Sequence, residues 1–334
     1  MFRRARARAA RDPGDAPPRA AHRGRGLHRL PCADAFVADG DALTILDDLS
    51  SGERAHVPAA AVFHRIDIRS PEAARLAREG RFDVVVHCAA QMDVRKSVAD
   101  PRFDAQVNID GTLNLLEAIR ASSPSARFVF ASTGGALYGD RAEVPTSESA
   151  RCAPQSPYGV AKLAVEHYLG YYARVHGLDA VALRFSNVYG PRQDPHGEAG
   201  VVAIFCDRIL DGAPLTIYGD GRQTRDYVYV MDVVQAVRLA AHGTFRDAVD
   251  GARALNIGTG RETDVITLAT LLSTAADAPL RVEHAPARAG EQSRSAGRND
   301  AAVRALGWRP ATDLEDGLRQ TWSWFAARRA GAPR

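Results

Sequence analysis

Short β-branched runs alternate with amphipathic helical patterns from Ala33 to the end of the chain. The run Phe82–Cys88 contains three consecutive valines, which is typical of a parallel strand buried on both faces. Similar runs recur between the helical patterns, at Ala42–Leu46, Phe128–Ala131 and Ala180–Leu183. Strands that alternate with helices form βαβ units. The sequence therefore predicts an α/β fold with a doubly wound, Rossmann-like parallel sheet.

The composition is that of an ordinary soluble globular protein. Of the 334 residues, 46% are hydrophobic and 25% are charged. The longest apolar runs are only strand-sized, so no segment is predicted to span a membrane. The four cysteines have neither disulfide nor metal-site spacing and are typical of small core residues in a reducing cytoplasm. We therefore expect a cytoplasmic protein without a metal or a membrane partner.

Residues 1–32 differ from the rest of the chain. They hold nine arginines against Asp12 and Asp15, a net charge of +7, so the remaining chain carries −4 of the overall +3. A mildly acidic remainder does not favour a nucleic-acid partner. The segment contains no Ser, Thr, Lys or Glu and shows no apolar periodicity. One interpretation of the segment is a transit peptide, although such peptides are normally rich in serine. A disordered basic arm is a second interpretation.

A third interpretation of this segment is that it is translated out of frame, and we favour it. Residues His22–Cys32 can be back-translated to a DNA string that, read one base later, encodes T-G-G-A-G-F-I-G-S-H. That text contains the phosphate-binding pattern G-x-x-G-x-x-G, and Ala33–Gly40 would continue the helix that follows such a loop. Ten successive agreements are not expected by chance. We therefore predict a compensated frameshift over the first strand and its glycine loop.

Tyr158 and Lys162 form the most informative pair of polar residues. Residues four apart lie on one face of a helix, so the phenol and the ammonium would point into the same cleft. A free tyrosine has a pKa of about 10 and is a poor base at pH 7. A nearby cation favours the phenolate and lowers that pKa. Y-x-x-x-K also occurs in ordinary amphipathic helices, so its significance depends on the context.

The context is a strand that ends in small hydroxyl residues. Phe128–Ala131 leads into Ser132 and Thr133, followed by Gly134 and Gly135. Ligands bind at the carboxyl ends of the strands in open α/β sheets. Together with Tyr158 and Lys162, this segment resembles the Ser/Thr–Tyr–Lys triad of the short-chain dehydrogenases/reductases. Counting from the strand makes Thr133 the catalytic hydroxyl, whereas counting back from Tyr138 gives Gly134; we prefer the count from the strand.

With the triad in place, residues 33–326 resemble the extended short-chain dehydrogenase/reductase family, in its NAD-dependent epimerase/dehydratase branch. The resemblance implies NAD as the cofactor. Asp47 then contacts the adenosine ribose, Asp67 and Ile68 lie at the adenine, and Ala89 and Ala90 form the turn over the pyrophosphate. The remaining implied cofactor contacts are Asn108, Ser132, Tyr158 and Lys162.

The same resemblance extends to the substrate half. The segment Arg184–Pro191 resembles R-x-x-N-x-Y/T-G, whose asparagine, Asn187, would bind the pyrophosphate of a sugar nucleotide. The segment from Tyr218 to Asp226 carries Arg225, and a guanidinium fork suits phosphate oxygens. The other implied substrate contacts are Arg288, Glu291 and Ser295.

The implied reaction is NAD-dependent 4-epimerisation of a UDP-sugar through a 4-keto intermediate. Thr133 and Tyr158 would remove the O4 proton, while Lys162 would lower the tyrosine pKa and hold the nicotinamide ribose. A sugar 4,6-dehydratase needs an acid pair after the threonine, where this chain has Gly134 and Gly135. Reduction or decarboxylation of a related sugar nucleotide stays open. The small Ser295 would admit an N-acetyl group at C2, so UDP-N-acetylglucosamine stands beside UDP-glucose.

A different class of function follows if residues 1–32 stand as translated. The loop that offers backbone N–H groups and a helix N-terminus to the pyrophosphate is then missing, and arginines do not replace glycines there. The chain would be an inactive or weakly binding remnant.

The expected organisation has three parts. Residues 1–32 are the anomalous segment, residues 33–185 form the NAD-binding lobe, and residues 186–330 form mainly the smaller substrate-binding lobe, interleaved with the sheet. The resemblance also implies a homodimer that pairs through the helices bearing Asn108 and Tyr158.

Overall fold

The computed structural model describes residues 2–3, 29–50, 54–140, 142–195, 200–246, 253–287 and 292–331. The strands are β1 Phe2–Arg3, β2 Thr44–Asp47, β3 Val62–Arg65, β4 Val84–His87, β5 Arg127–Thr133, β6 Asp179–Phe185, β7 Asn187–Tyr189, β8 Leu215–Tyr218, β9 Thr224–Arg225, β10 Tyr227–Tyr229, β11 Arg253–Ile257, β12 Thr263–Asp264, β13 Val282–Ala285 and β14 Arg294–Ser295.

The helices are α1 Arg29–Ala38, α2 Pro71–Gly80, α3 Val94–Ala99, α4 Pro101–Ala105, α5 Gly111–Ser122, α6 Pro157–His176, α7 Val201–Leu210, α8 Val230–His242, α9 Val265–Ala275, α10 Asp300–Leu306 and α11 Leu314–Gly331. A 3₁₀ turn covers Arg54–His56, and a π-helical turn, Gln106–Asp110, joins α4 to α5. In the part of the chain described, no helix is long and apolar enough to cross a bilayer.

The main sheet has the strand order β11-β6-β5-β4-β1-β2-β3. Apart from β1, neighbouring strands in it pair in parallel. The expected strand runs form β2, β4, β5 and β6, with ends shifted by up to two residues. The expected doubly wound α/β sheet is confirmed.

Two apolar layers cover the sheet. Alternate side chains of β5, such as Phe128 and Phe130, face α2, α5 and α6, while Val129 and Ala131 face α1 and α8. A third cluster joins α7, α9 and α11 to the small sheets β7–β10 and β8–β13, and a further small sheet has the order β12-β9-β14. Because β11 returns to the main sheet beside β6, the second half of the chain is interleaved with the first.

The position between β2 and β4 is where a doubly wound sheet has its first strand. Here it is taken by β1, which runs antiparallel to both neighbours. Phe2 lies opposite Thr44 and Val85. Residues 4–28, which include most of the stretch that we interpret as out of frame, lie outside the described residues. Helix α1 runs on to Ala38, so the residues after Ala33 are helical as expected.

A buried ion pair holds α6 against β6. The Arg184 Nη2 lies 2.6 Å from Glu166 Oε2, and the two side chains are only 7% and 8% exposed. The Arg184 Nε also donates to both carboxylate oxygens at 3.1 Å. The pair therefore fixes the helix that carries Tyr158 and Lys162 to the sheet.

We expect Glu166→Gln to lower the free energy of unfolding by about 3–5 kcal/mol, because it leaves the Arg184 guanidinium buried without a counter-charge. Glu72→Gln is the control, since Glu72 and Arg75 form an exposed pair, and such pairs contribute about 1 kcal/mol or less. Urea unfolding followed by far-UV circular dichroism measures both. Equal losses in the two variants would contradict the role given to the buried pair.

Candidate active site

Tyr158 lies in the first turn of α6. The Ser156 side chain caps this helix by accepting a hydrogen bond from the Gly159 N–H at 3.2 Å, and Pro157 suits the first helical position. A β-carbon at Gly159 would lie only 2.5 Å from the Ala136 carbonyl oxygen and 2.9 Å from Pro154 Cβ. The glycine therefore lets this end of α6 approach the loop that follows β5.

Lys162 lies one turn further along α6 and is 3% exposed. Its Nζ donates to the Ala131 carbonyl oxygen at 2.8 Å and lies 4.5 Å from the centre of the Phe130 ring. The same atom is 5.8 Å from the centre of the Tyr158 ring. The ammonium and the phenol are therefore neighbours, as the helical spacing predicted.

The pKa of Tyr158 differs from the sequence-based expectation. We expected Lys162 to lower it, but the pKa is raised, first by burial of the phenol and then by the negative charge of Asp104. Burial disfavours the phenolate because the charged form loses its hydration. In this structure, that loss outweighs the effect of the ammonium.

Ser132 and Thr133 point to opposite faces of β5, because side chains alternate along a strand. The Ser132 hydroxyl donates to Glu166 Oε1 at 2.5 Å, so this side chain belongs to the buried ion pair. Its implied cofactor contact would have to be made by its backbone. The ladder continues beyond Thr133, since the Gly134 N–H donates to the Phe185 carbonyl at 2.7 Å. Thr133 thus lies at the strand end where the reacting hydroxyl was expected.

The carboxyl ends of β2 and β4 carry the residues implied for the cofactor. Asp47 ends β2, and its Oδ1 accepts a hydrogen bond from the Leu49 N–H at 2.7 Å. Ala89 and Ala90 follow β4, and Ala89 is almost fully buried. These strands flank the point where the strand order reverses, which is where dinucleotides bind in such sheets. An acid on one side and a small-residue turn on the other fit the adenosine and the pyrophosphate of NAD.

Asp67 and Ile68 follow β3 at the same edge of the sheet. The Asp67 carboxylate binds the Arg69 guanidinium, with 2.6 Å between Oδ2 and Nη2. The Ile68 side chain is fully buried among α2 and α5 residues. Its backbone, and not its side chain, is therefore the part that remains for an adenine contact.

Asn108 lies in the π-helical turn, and such turns are frequent at functional sites. Its Oδ1 accepts from the Gln91 N–H at 2.8 Å, and its Nδ2 donates to the Gln91 carbonyl at 2.9 Å. The amide therefore holds the turn after β4 in place. In this structure, the cofactor role implied for Asn108 is therefore to position this turn.

The structure brings three of the predicted substrate residues together. Ser295 is the register partner of Arg225 in the β9–β14 pair. A β-carbon at Gly135 would lie 3.9 Å from Asn187 Oδ1 and 4.0 Å from Ser295 Oγ. Tyr218 lies on β8, which pairs with β13 in another small sheet. Arg288 and Glu291 lie outside the described residues.

Asp226 organises this region and was not singled out in the sequence. It is 1% exposed and accepts hydrogen bonds from Ser186 Oγ, from the N–H and hydroxyl of Thr259, and from the Gly260 and Gly297 N–H groups. Burial raises its pKa although these bonds lower it. Its only signal in the sequence was its place directly after Arg225.

Comparisons with known proteins show the family. The NAD dependent epimerase/dehydratase family matches residues 32–258. The UDP-glucose 4-epimerase of Mycolicibacterium smegmatis is 42% identical over 297 residues, which cover 87% of this chain and 93% of the relative. The chain belongs to the NAD-dependent epimerase/dehydratase family. The predicted family and its NAD cofactor are thereby confirmed, as is the expectation of an NAD-dependent epimerase.

Two solved structures have the same fold. The UDP-glucose 4-epimerase of Thermotoga maritima, solved with UDP-glucose, is 40% identical, with 93% of this chain and 99% of that chain covered and a TM-score of 0.87. The UDP-glucose 4-epimerase of Thermus thermophilus, solved with NAD, is also 40% identical, with 94% and 100% covered and a TM-score of 0.83.

We expect Gly159→Ala to lower the free energy of unfolding by about 1–3 kcal/mol, because the new methyl group collides with the Ala136 carbonyl. The first turn of α6 must then move, and a shift of Tyr158 by about 1 Å costs on the order of 100-fold in turnover. Urea unfolding and an epimerase assay measure the two effects.

Gly170→Ala is the matched control on the same helix. A β-carbon there would meet only the Arg174 guanidinium, at 3.2 Å, so the flexible side chain can move aside. Alanine also favours a helix over glycine by about 0.5–1 kcal/mol, so this variant should be neutral or stabilising. If Gly159→Ala had the same stability and the same epimerase activity as Gly170→Ala, the close approach of α6 to the loop after β5 would not matter for function.

Proposed function

We propose that this protein catalyses the 4-epimerisation of a UDP-sugar through a 4-keto intermediate. The observation that carries the proposal is the placement of Tyr158 and Lys162 beside the end of β5, where Thr133 is followed by two glycines. The names of the similar proteins, UDP-glucose 4-epimerases, support the same reaction.

The chain's own residues account for the proton transfer. Thr133 and Tyr158 hold the sugar O4 hydroxyl, and Tyr158 accepts its proton and returns it once the 4-keto sugar has turned over. Bound NAD would supply the hydride acceptor and donor for C4. Asp47 and the Ala89–Ala90 turn would hold it, and Lys162 keeps a positive charge beside the phenol.

The glycines after Thr133 disfavour a sugar 4,6-dehydratase. Elimination of water across C5 and C6 needs an acid and a base next to the catalytic threonine. Gly134 and Gly135 offer neither, and the ladder bond from Gly134 to Phe185 fixes their backbone. Epimerisation needs no further proton donor.

The alternative, an inactive or weakly binding remnant, depends on the segment 1–32. We keep the proposal that this segment is out of frame. The back-translation of His22–Cys32 supports it, and β1, which takes the position of the first strand, runs antiparallel to both neighbours. Resequencing the gene around codons 20–33 tests this directly. A confirmed reading frame without a lost or gained base would contradict the explanation that the frameshift is a sequencing error.

We expect the chain as written to release little NAD on denaturation, whereas the chain with T-G-G-A-G-F-I-G-S-H before Ala33 should release about one NAD per chain. The physical reason is that glycine backbone N–H groups at a helix N-terminus bind phosphate closely. Absorbance and enzymatic cycling of the released cofactor measure the ratio.

Tyr158→Phe in the restored chain is the control. It should keep the NAD and lose epimerase activity by about 100-fold or more, because it removes the base but leaves the remaining site in place. If the chain as written released about one NAD per chain, two ideas would be contradicted: that this chain is an inactive remnant, and that the frameshift prevents NAD binding. Full activity of Tyr158→Phe would contradict the proposed mechanism.

Space beside Ser295 bears on the choice of sugar. Gly135 and Ser295 face each other with Asn187 nearby, and neither residue carries a bulky side chain. We propose that this space admits an N-acetyl group at C2, so that both UDP-glucose and UDP-N-acetylglucosamine are substrates.

We expect Ser295→Tyr to lower kcat/KM for UDP-N-acetylglucosamine by about 100-fold, because the larger side chain fills the space beside Gly135, and overpacking typically costs about 1–3 kcal/mol. The value for UDP-glucose should change less than about threefold. Strict preference of the unsubstituted protein for UDP-glucose would reject the proposal.

A homodimer stays a proposal. The outer face of α6 exposes Val160, Tyr168, Tyr171 and Val175, whose helical spacing places them on one side. Val98 of α3 is exposed as well. Pairing of two copies through these helices would cover these apolar side chains.

A further inference from the structure

Asp104 is a buried acid that no motif of the sequence indicated. It lies on α4 and is only 1% exposed. Its Oδ1 accepts hydrogen bonds from Gln91 Nε2 at 3.0 Å and from Asn108 Nδ2 at 2.9 Å. One carboxylate oxygen therefore holds two amide side chains from different parts of the chain.

Those two amides have all their other partners in the same turn. Gln91 exchanges two backbone bonds with the Asn108 amide, and its side chain binds the N–H and the carbonyl of Asp93 at 2.8 Å each. Asp104 completes this network. It thereby ties the π-helical turn to the turn after β4, the turn that begins with Ala89 and Ala90.

The second oxygen, Oδ2, is buried and has no hydrogen-bond partner among the described residues. A buried polar atom without a hydrogen-bond partner lowers the stability of a protein, so its presence needs an explanation. Burial raises the pKa of Asp104, while the bonds from Gln91 and Asn108 and the charge of Lys162 lower it. Helix α4 packs against α6, which carries Lys162 and Tyr158. The other charged side chains of these helical segments that flank it are Asp93, which is partly buried and whose backbone binds Gln91, and the exposed Arg95, Lys96, Asp100, Arg102 and Asp110.

We infer that Asp104 is a positioning residue of the epimerase site: its carboxylate fixes the turn after β4 against Asn108 and supplies the negative charge that balances Lys162 beside Tyr158. The inference rests on the proposed function for its link to turnover. Its electrostatic part concerns this chain's own residues and holds without substrate. A carboxylate near a phenol disfavours the phenolate, so Asp104 adds to burial in raising the pKa of Tyr158.

The pH profile of turnover separates this role from a structural one. Asparagine has the same shape and keeps an oxygen for Gln91 and Asn108, so Asp104→Asn removes mainly the charge. The pKa of Tyr158 then falls, and the acidic limb of the kcat profile should move to lower pH by about one unit. The assay uses whichever full chain, as written or with the restored loop, shows epimerase activity.

Asp110→Asn is the matched control, because it removes an exposed negative charge from the same helical segment. Its acidic limb should not move by more than about 0.2 unit, since water screens exposed charges. Asp104→Leu removes the acceptor as well as the charge, and we expect its bound NAD to fall several-fold. An Asp104→Asn profile that coincides with that of Asp110→Asn would overturn the electrostatic role, and unchanged NAD in Asp104→Leu would overturn the positional one.

A second measurement needs neither turnover nor a substitution at Asp104. In the full chain labelled with ¹³Cζ-tyrosine, Tyr158→Phe identifies the Tyr158 resonance. We expect this resonance to shift at acidic pH, with the chain still folded, as Asp104 takes up a proton. A flat resonance would overturn the coupling even if epimerase activity is found, whereas a shift without activity would keep the coupling and count against the proposed function alone.

Discussion

The position of α6 against the main sheet depends on two buried charges that lie four residues apart on the same helix. Lys162 binds the Ala131 carbonyl, and Glu166 binds Arg184 of β6 together with the Ser132 hydroxyl. Both charged side chains attach the helix to β5 or β6 by hydrogen bonds. These bonds have a fixed direction, which apolar contacts do not provide. Tyr158 is carried on the first turn of that helix, so its place relative to β5 follows from bonds made one and two turns away. The Tyr158 phenol itself makes none of these attachments, which is compatible with the role proposed for it at the substrate.

Much of the fold and the outline of the site could be predicted from the sequence, because they depend on periodicity and on spacing along one element. The strand runs, the parallel order and the Tyr158–Lys162 pair are of this kind. What could not be predicted depends on which face a polar side chain takes and what lies opposite. Ser132 faces Glu166 rather than the cofactor edge, and Asn108 pairs with the Gln91 backbone. Asp104 and Asp226 look like solvated acids in the sequence, and only the packing of distant segments shows that they are buried.

The gap between β2 and β4, where the first strand of the sheet belongs, has to be filled by another strand. β2 and β4 both present backbone groups toward the gap between them, and unpaired backbone groups at the centre of a sheet are costly. Phe2–Arg3 supplies two residues of antiparallel pairing there. A parallel strand that led directly into α1 would pair more of the ladder and would aim the helix N-terminus at the switch point. Short antiparallel pairing meets the first requirement in part, because Phe2–Arg3 pairs with both neighbouring strands.

Burial and the charge of Asp104 both disfavour the Tyr158 phenolate, and this bears on the proposed chemistry. Epimerisation takes a proton from O4 and returns it, so the base must ionise and recover within one cycle. A large surplus of positive charge would hold the phenolate too firmly to return a proton, and an uncompensated acid would prevent its formation. Burial and the Asp104 carboxylate both raise the pKa of Tyr158, while the Lys162 ammonium lies 5.8 Å from the centre of the phenol ring and lowers the pKa of Asp104. In the proposed reaction, any charge that a ligand brings into the cleft would therefore act on a phenol whose pKa burial and Asp104 already raise.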